Sequence, residues 1–164
     1  MQIRELLVPE FDFEMKKIRS TLERVPETKI EYKPHEKSMT IGKLAAHLAR
    51  IPCWVVPIID LPELDVATSG DTPQVMESTA KLLQGFDGHV QQARTALNKL
   101  EDKSLADPWK LVSKGTILIQ GTRYQMIRSL VLNHAIHHRG QLGVYLRLNN
   151  VAVPSIYGPS ADES

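Results

Sequence analysis

Apolar residues in this chain of 164 recur at alternating steps of four and three, and that helical period limits what it can fold into more than any other feature. Phe11, Met15, Ile18, Leu22 and Val25 form one seam, which predicts an amphipathic helix starting near Pro9 and stopping before Pro26. Ile41, Leu44, Leu48, Ile51 and Val55 form a second, with Ser38 as its N-cap and Pro52 kinking the helix rather than ending it. The stretch from Leu61 to Thr72 holds Pro62 and Gly70 and reads as a loop, after which Asp71-Thr72-Pro73 predicts the start of a third helix reaching Leu100. Gly85 and Gly88 inside it each cost about 1 kcal/mol relative to alanine, which implies a bend or the close approach of another backbone.

Between Leu105 and Gly121 the period changes. Trp109 to Val112 and Thr116 to Ile119 flank Gly115 as two short strands, a small β-hairpin between helices three and four. A fourth helix is expected from Gly121-Thr122 to Asn149, since Ile127, Leu130, Val131, His134, His138, Gln141, Leu142, Tyr145 and Leu148 share one broad face. The tail beyond Asn150 carries Pro154 and Pro159 and reads as extended, with Ile156 and Tyr157 as its anchors. Four amphipathic helices with long connections specify an all-α fold, a four-helix bundle with a crossover connection, in a single domain over residues 1–164.

Charge and cysteine usage narrow the function classes. Lys plus Arg number 20 against 19 for Asp plus Glu, which is no electrostatic footprint for nucleic acid. The most apolar window, Ile51 to Ile59, is interrupted by Pro52 and Pro57 and has about half the length of a membrane span. The first residues include Glu5 and too short an apolar run for an export signal, so a cytoplasmic protein without a membrane partner is expected. Cys53, the single cysteine, supports neither an internal disulfide nor a CxxC motif.

Six histidines remain: His35, His47, His89, His134, His137 and His138. His134 and His138 are four apart, so their rings leave the same side of successive turns, a spacing that lets two imidazoles grip one metal ion. Both point within roughly 20° of the centre of their helix's apolar stripe, toward the bundle interior. His47 flanks the seam of the second helix and can face inward as well. Three neutral imidazoles in a bundle core would leave coordination positions open, the composition of a reactive site.

The bland reading is that these are core histidines bonded to carbonyls, with no metal at all. His137, about 80° from the seam centre, is read as a rim residue or a donor behind the ligands, with a His134–His137 pairing as a variant. His35 and His89 are read as surface or packing residues. Ala135 stands where an HExxH protease places its glutamate, and Thr122 to Asn149 contains no acid, so any base comes from elsewhere; Asp12 and Glu14 of the first helix are carboxylates that sequence cannot place. Arg139 and Arg147 are expected to be solvated on the outer side of helix four, with Arg139 at the site mouth as the alternative. Trp54 and Trp109 are read as core or interface anchors.

Two strings carry a family resemblance. His134-Ala-Ile-His137-His138-Arg139-Gly140-Gln141-Leu142, followed by Tyr145-Leu-Arg and Pro154-Ser-Ile-Tyr157-Gly158-Pro159-Ser, resembles the C-terminal signature of the DinB-like proteins. The string from Lys33 to Leu48, ending in Ala45-Ala46-His47-Leu48, resembles an earlier motif of the same family. The resemblance spans nearly the whole chain. It implies a four-helix bundle in which His47, His134 and His138 hold a divalent metal such as zinc or nickel, in a homodimer. Members of the wider superfamily include S-transferases and isomerases that use a low-molecular-mass thiol, and metal-dependent hydrolases. The implied function is a metal-dependent enzyme that activates water or such a thiol for attack on a small electrophilic substrate, as a thiol S-transferase or a hydrolase. The alternative is a non-catalytic metal- or small-molecule-binding dimeric protein.

Overall fold

The computed structural model of the chain describes residues 2–69 and 75–163. Helix α1 spans Ile3–Leu22 and buries Phe11, Met15, Ile18 and Leu22, the predicted seam. It starts earlier than Pro9, because the Asp102 carboxylate accepts from the backbone N–H groups of Ile3 and Arg4 at 2.5 and 3.1 Å and so serves two of the open donors of the first turn. Pro9 lies within the helix, where it withholds a donor from the carbonyl of exposed Glu5.

Helix α2 spans Ile41–Arg50 and is capped by Thr40, whose hydroxyl accepts from the Lys43 N–H, rather than by Ser38. The backbone N–H of Ser38 is instead bonded to the His35 carbonyl in the preceding turn. A Cβ at Gly42 would lie 3.1 Å from the Cβ of Ile30, so glycine lets α2 sit against the incoming chain. At Pro52 the rod tightens into a 3-10 turn, Ile51–Trp54, and resumes as α3, Val55–Asp60, which is the kink the sequence implies.

Helix α4 spans Thr79–Lys99, with the Ser78 hydroxyl accepting from the Lys81 N–H. The expected start at Asp71-Thr72-Pro73 lies outside the described residues, and residues 75–78 are not helical. No neighbouring group lies within 4 Å of a Cβ built on Gly85 or Gly88, so the close approach does not occur, and the helix runs unbroken through both.

The all-α expectation is corrected by a three-stranded sheet. Strands β2, Pro108–Ser113, and β3, Thr116–Thr122, form the predicted hairpin, with positive φ at Lys114 and Gly115 in its two-residue turn. Strand β1, Glu63–Asp65, pairs parallel to β2 from inside the segment read as a loop. Three residues after Pro62 are too few to display an alternating pattern, and pairing to β2 supplies the order. Buried Trp109 ties the sheet to the helices by donating its indole N–H to the Pro57 carbonyl at 3.2 Å.

Thr122 starts the last rod with a capping box to Gln125. The rod comprises α5, Arg123–Met126, a π-helical segment, Ile127–Asn133, and α6, His134–Leu148. Helices α1 and α2 lie across from each other, with α4 packed against both on one side and α6 against both on the other. Helix α4 runs antiparallel to α1, since Thr79 meets Val25 at one end and Asp102 meets Ile3 at the other. The connection between α3 and α4 includes β1, and the one between α4 and α5 holds β2 and β3. Among the described residues, no helix is long and apolar enough to cross a membrane.

Candidate metal centre

His47 leaves the last turn of α2, and His134 and His138 leave successive turns of α6. Their rings meet. The Nε2 atom of His134 lies 3.2 Å from Nε2 of His47 and 2.8 Å from Nε2 of His138, and one nitrogen from each ring falls within 4.8 Å of the others. His138 is buried, while His134 and His47 keep partial access to solvent.

The outer nitrogens face acceptors. Nδ1 of His134 lies 3.3 Å from the Leu130 carbonyl, and Nδ1 of His138 lies 2.7 Å from the side-chain oxygen of Gln141. The backbone N–H of His134 bonds to Val131, and the Leu130 carbonyl one residue earlier receives the ring. Burial holds the protonated forms of His134 and His138 disfavoured, in His138 down to about 4, so both rings are neutral near pH 7.

A neutral imidazole carries one proton. With those protons on Nδ1, the two Nε2 lone pairs face each other at 2.8 Å with no hydrogen between them. A cation is the partner that makes such an arrangement favourable. Zinc–nitrogen bonds of about 2.0–2.1 Å place neighbouring nitrogens about 3 Å apart, close to the separations found. The three-histidine cluster is therefore compatible with a metal site.

The other residues singled out from sequence fall as follows. His137 is exposed at the rim, its ring centroid 5.0 Å from that of His138. His89 packs its Nδ1 3.1 Å from the Ala49 carbonyl, and His35 accepts from the Lys37 N–H in an exposed loop. Asp12 pairs with Arg94 at the surface, and Cys53 is partly buried in the 3-10 turn after α2. Arg147 is exposed and pairs with Asp162, as a solvated charge should.

Arg139 is not solvated. It is buried and donates to Glu14 of α1 at 2.7 Å and to the Tyr157 hydroxyl at 2.7 Å, and that hydroxyl lies 2.8 and 2.9 Å from the two Glu14 oxygens. The guanidinium stacks 4.8 Å from the Tyr157 ring centroid, and this holds the tail against α1 and α6. The tail is folded rather than extended, since Ser155 and Ser160 bond to each other and to residues 162–163. Sequence reading placed Gln141 on the inner face without a role, although its spacing of three from His138 was the available signal.

A helical bundle with imidazoles converging from two of its rods is an arrangement compatible with a metal site. The DinB family model matches residues 1–164, and the chain belongs to the DinB family. Two solved structures share its fold. One is a DinB-like protein from Bacillus cereus, at 20% identity and a TM-score of 0.71 over 95% of this chain and 98% of that one. The other is a DinB-like protein, YjoA, from Bacillus subtilis, at 19% identity and a TM-score of 0.71 over 93% and 99% of the two chains. No curated protein matches the chain.

Proposed function

We propose that the chain is a metal-dependent enzyme in which His47, His134 and His138 hold one divalent ion, zinc or nickel, next to a small electrophilic substrate. The observation that supports it most is the meeting of three ring nitrogens while the outer nitrogens of His134 and His138 face acceptors. Bound there, such an ion would supply Lewis-acid activation of a water or a low-molecular-mass thiol at neutral pH. The reaction is then thiol S-transfer or hydrolysis.

The protein's own part is to orient and to shield. The Leu130 carbonyl and Gln141 fix two rings, buried His138 closes the inner side, and partly accessible His47 leaves the outer side to solvent and substrate. Thr122 to Asn149 offers no carboxylate, which favours a thiol or water activated without a helix-borne base. The same lack of a base supports a second reading, a non-catalytic metal- or small-molecule-binding dimeric protein.

The homodimer is supported by Ile3, Leu6 and Phe13, exposed apolar side chains spaced along one face of α1. Metal analysis of protein purified without a histidine tag, followed by thiol-transfer and hydrolysis assays, tests the function. One equivalent of ion in the wild type and none in His138→Ala is expected. Unchanged metal content and unchanged turnover in that variant would remove His138 from the site, and stoichiometric ion without turnover in any assay would favour the binding protein.

A further inference from the structure

The outer partners of His134 and His138 differ in kind. The Leu130 carbonyl only accepts, so His134 must carry its proton on Nδ1 and present a bare Nε2. His138 has a choice. Its single proton can sit on Nε2 and bridge the 2.8 Å to His134, closing the pair into an ordinary hydrogen bond, or on Nδ1, leaving both inner nitrogens bare. Only the second arrangement offers a cation more than one ligand from α6.

The outer nitrogen of His138 meets the amide oxygen of Gln141 at 2.7 Å, on the same helix and three residues on. That oxygen competes with His134 for the single proton, and a hydrogen bond in a half-buried setting is strengthened by the low local dielectric. Orienting groups behind ligating histidines are worth about 10–100-fold in metal affinity.

We infer that Gln141 is a positioning residue that holds the His138 proton on Nδ1 and thereby keeps the three-imidazole cluster open to a cation. The inference rests on the reading of that cluster as a metal site. In the metal-free protein the tautomer of His138 is set by Gln141, whether or not an ion follows.

The test pairs nitrogen-15 NMR of the imidazoles in metal-free protein with titration by Co²⁺ and Zn²⁺. Wild type is expected to show His138 protonated on Nδ1. Gln141→Met, which keeps the length but removes the acceptor, should move the proton to Nε2 and weaken both ions about 10–100-fold. Gln141→Glu should restore both signals, which a merely structural role of Gln141 would not predict. If circular dichroism shows Gln141→Met unfolded, Gln141→Ala serves as the non-accepting variant. An unchanged His138 tautomer with affinity within twofold of wild type would overturn the inference. Failure of the wild type to take up either ion would refute the metal reading instead, while the metal-free spectra still decide what Gln141 does.

Discussion

His138 and Arg139 are neighbours in sequence, yet they feed two clusters of opposite character on two sides of α6. Toward α1, Arg139, Glu14 and Tyr157 satisfy one another, with a cation matched to an anion and a phenol bonded to both. Toward α2, ring nitrogens of His47, His134 and His138 converge within 4.8 Å of one another. The first set is complete as it stands and acts as a clamp between α1, α6 and the tail. The second is a set of imidazoles compatible with a metal ion. One helix thus carries a polar contact matched within the protein and a donor set compatible with a metal ion.

Four experiments break or sharpen that contrast. Glu14→Ala leaves a buried guanidinium without its anion, and loss of about 3–5 kcal/mol of unfolding free energy is expected, read as a lower urea midpoint. Its ion stoichiometry should stay at one. His138→Ala should behave the other way, losing less metal-free stability than Glu14→Ala. It should also lose the gain of about 2.7 kcal/mol that an ion at 100 times its dissociation constant gives a binding-competent fold, read by thermal melts with and without Zn²⁺. Tyr157→Phe keeps the ring stacked on Arg139 and removes only the hydroxyl, so a cost of about 1.5 kcal/mol is expected, with ion affinity unchanged.

The smallest effect is a pH dependence of the clamp. The Tyr157 ring is exposed, but desolvation of its hydroxyl between Arg139 and Glu14 disfavours the phenolate and outweighs the Arg139 guanidinium, so the folded phenol loses its proton above the usual value of 10.0. The contribution of Tyr157 is therefore whole below pH 10 and is lost as pH rises through the folded value. An ultraviolet titration of wild type against Tyr157→Phe should assign a late-ionising phenol to Tyr157, and a Tyr157 midpoint at or below 10.0 would contradict a desolvated hydroxyl in this cluster.

Much of the scaffold was legible because helical burial leaves a period. Every residue of the two predicted seams on α1 and α2–α3 is buried, and His47, His134 and His138 could be assigned inward from the same arithmetic. Ile127, Val131 and Leu142 of the fourth seam are buried too, but Leu148 is exposed while Leu146 and Arg139 are buried. Arg139 lies on the same regular helix as His138, about 100° round from it, and is buried because α6 packs against α1 as well as α2, a second neighbour that one seam does not encode. Its partner Glu14 is 125 positions away, and no local pattern announces a contact across that separation. Strand β1 was illegible for the same reason, since its order comes from pairing with β2. Gln141 was visible as an inward polar residue, but the competition for one proton emerges only when both rings and the Leu130 carbonyl have positions.

The wide turns of residues 127–133 set the phase of everything that follows them. Were those residues to close to ordinary winding with none removed, the rest of the rod would swing by about 100°, the turn of one residue. That rotation would carry His134 and His138 away from His47 and pull Arg139 from Glu14 in the same movement. The segment thus works as a spacer that keeps two unrelated alignments true at once, and its winding is as constrained as the identity of any side chain it serves.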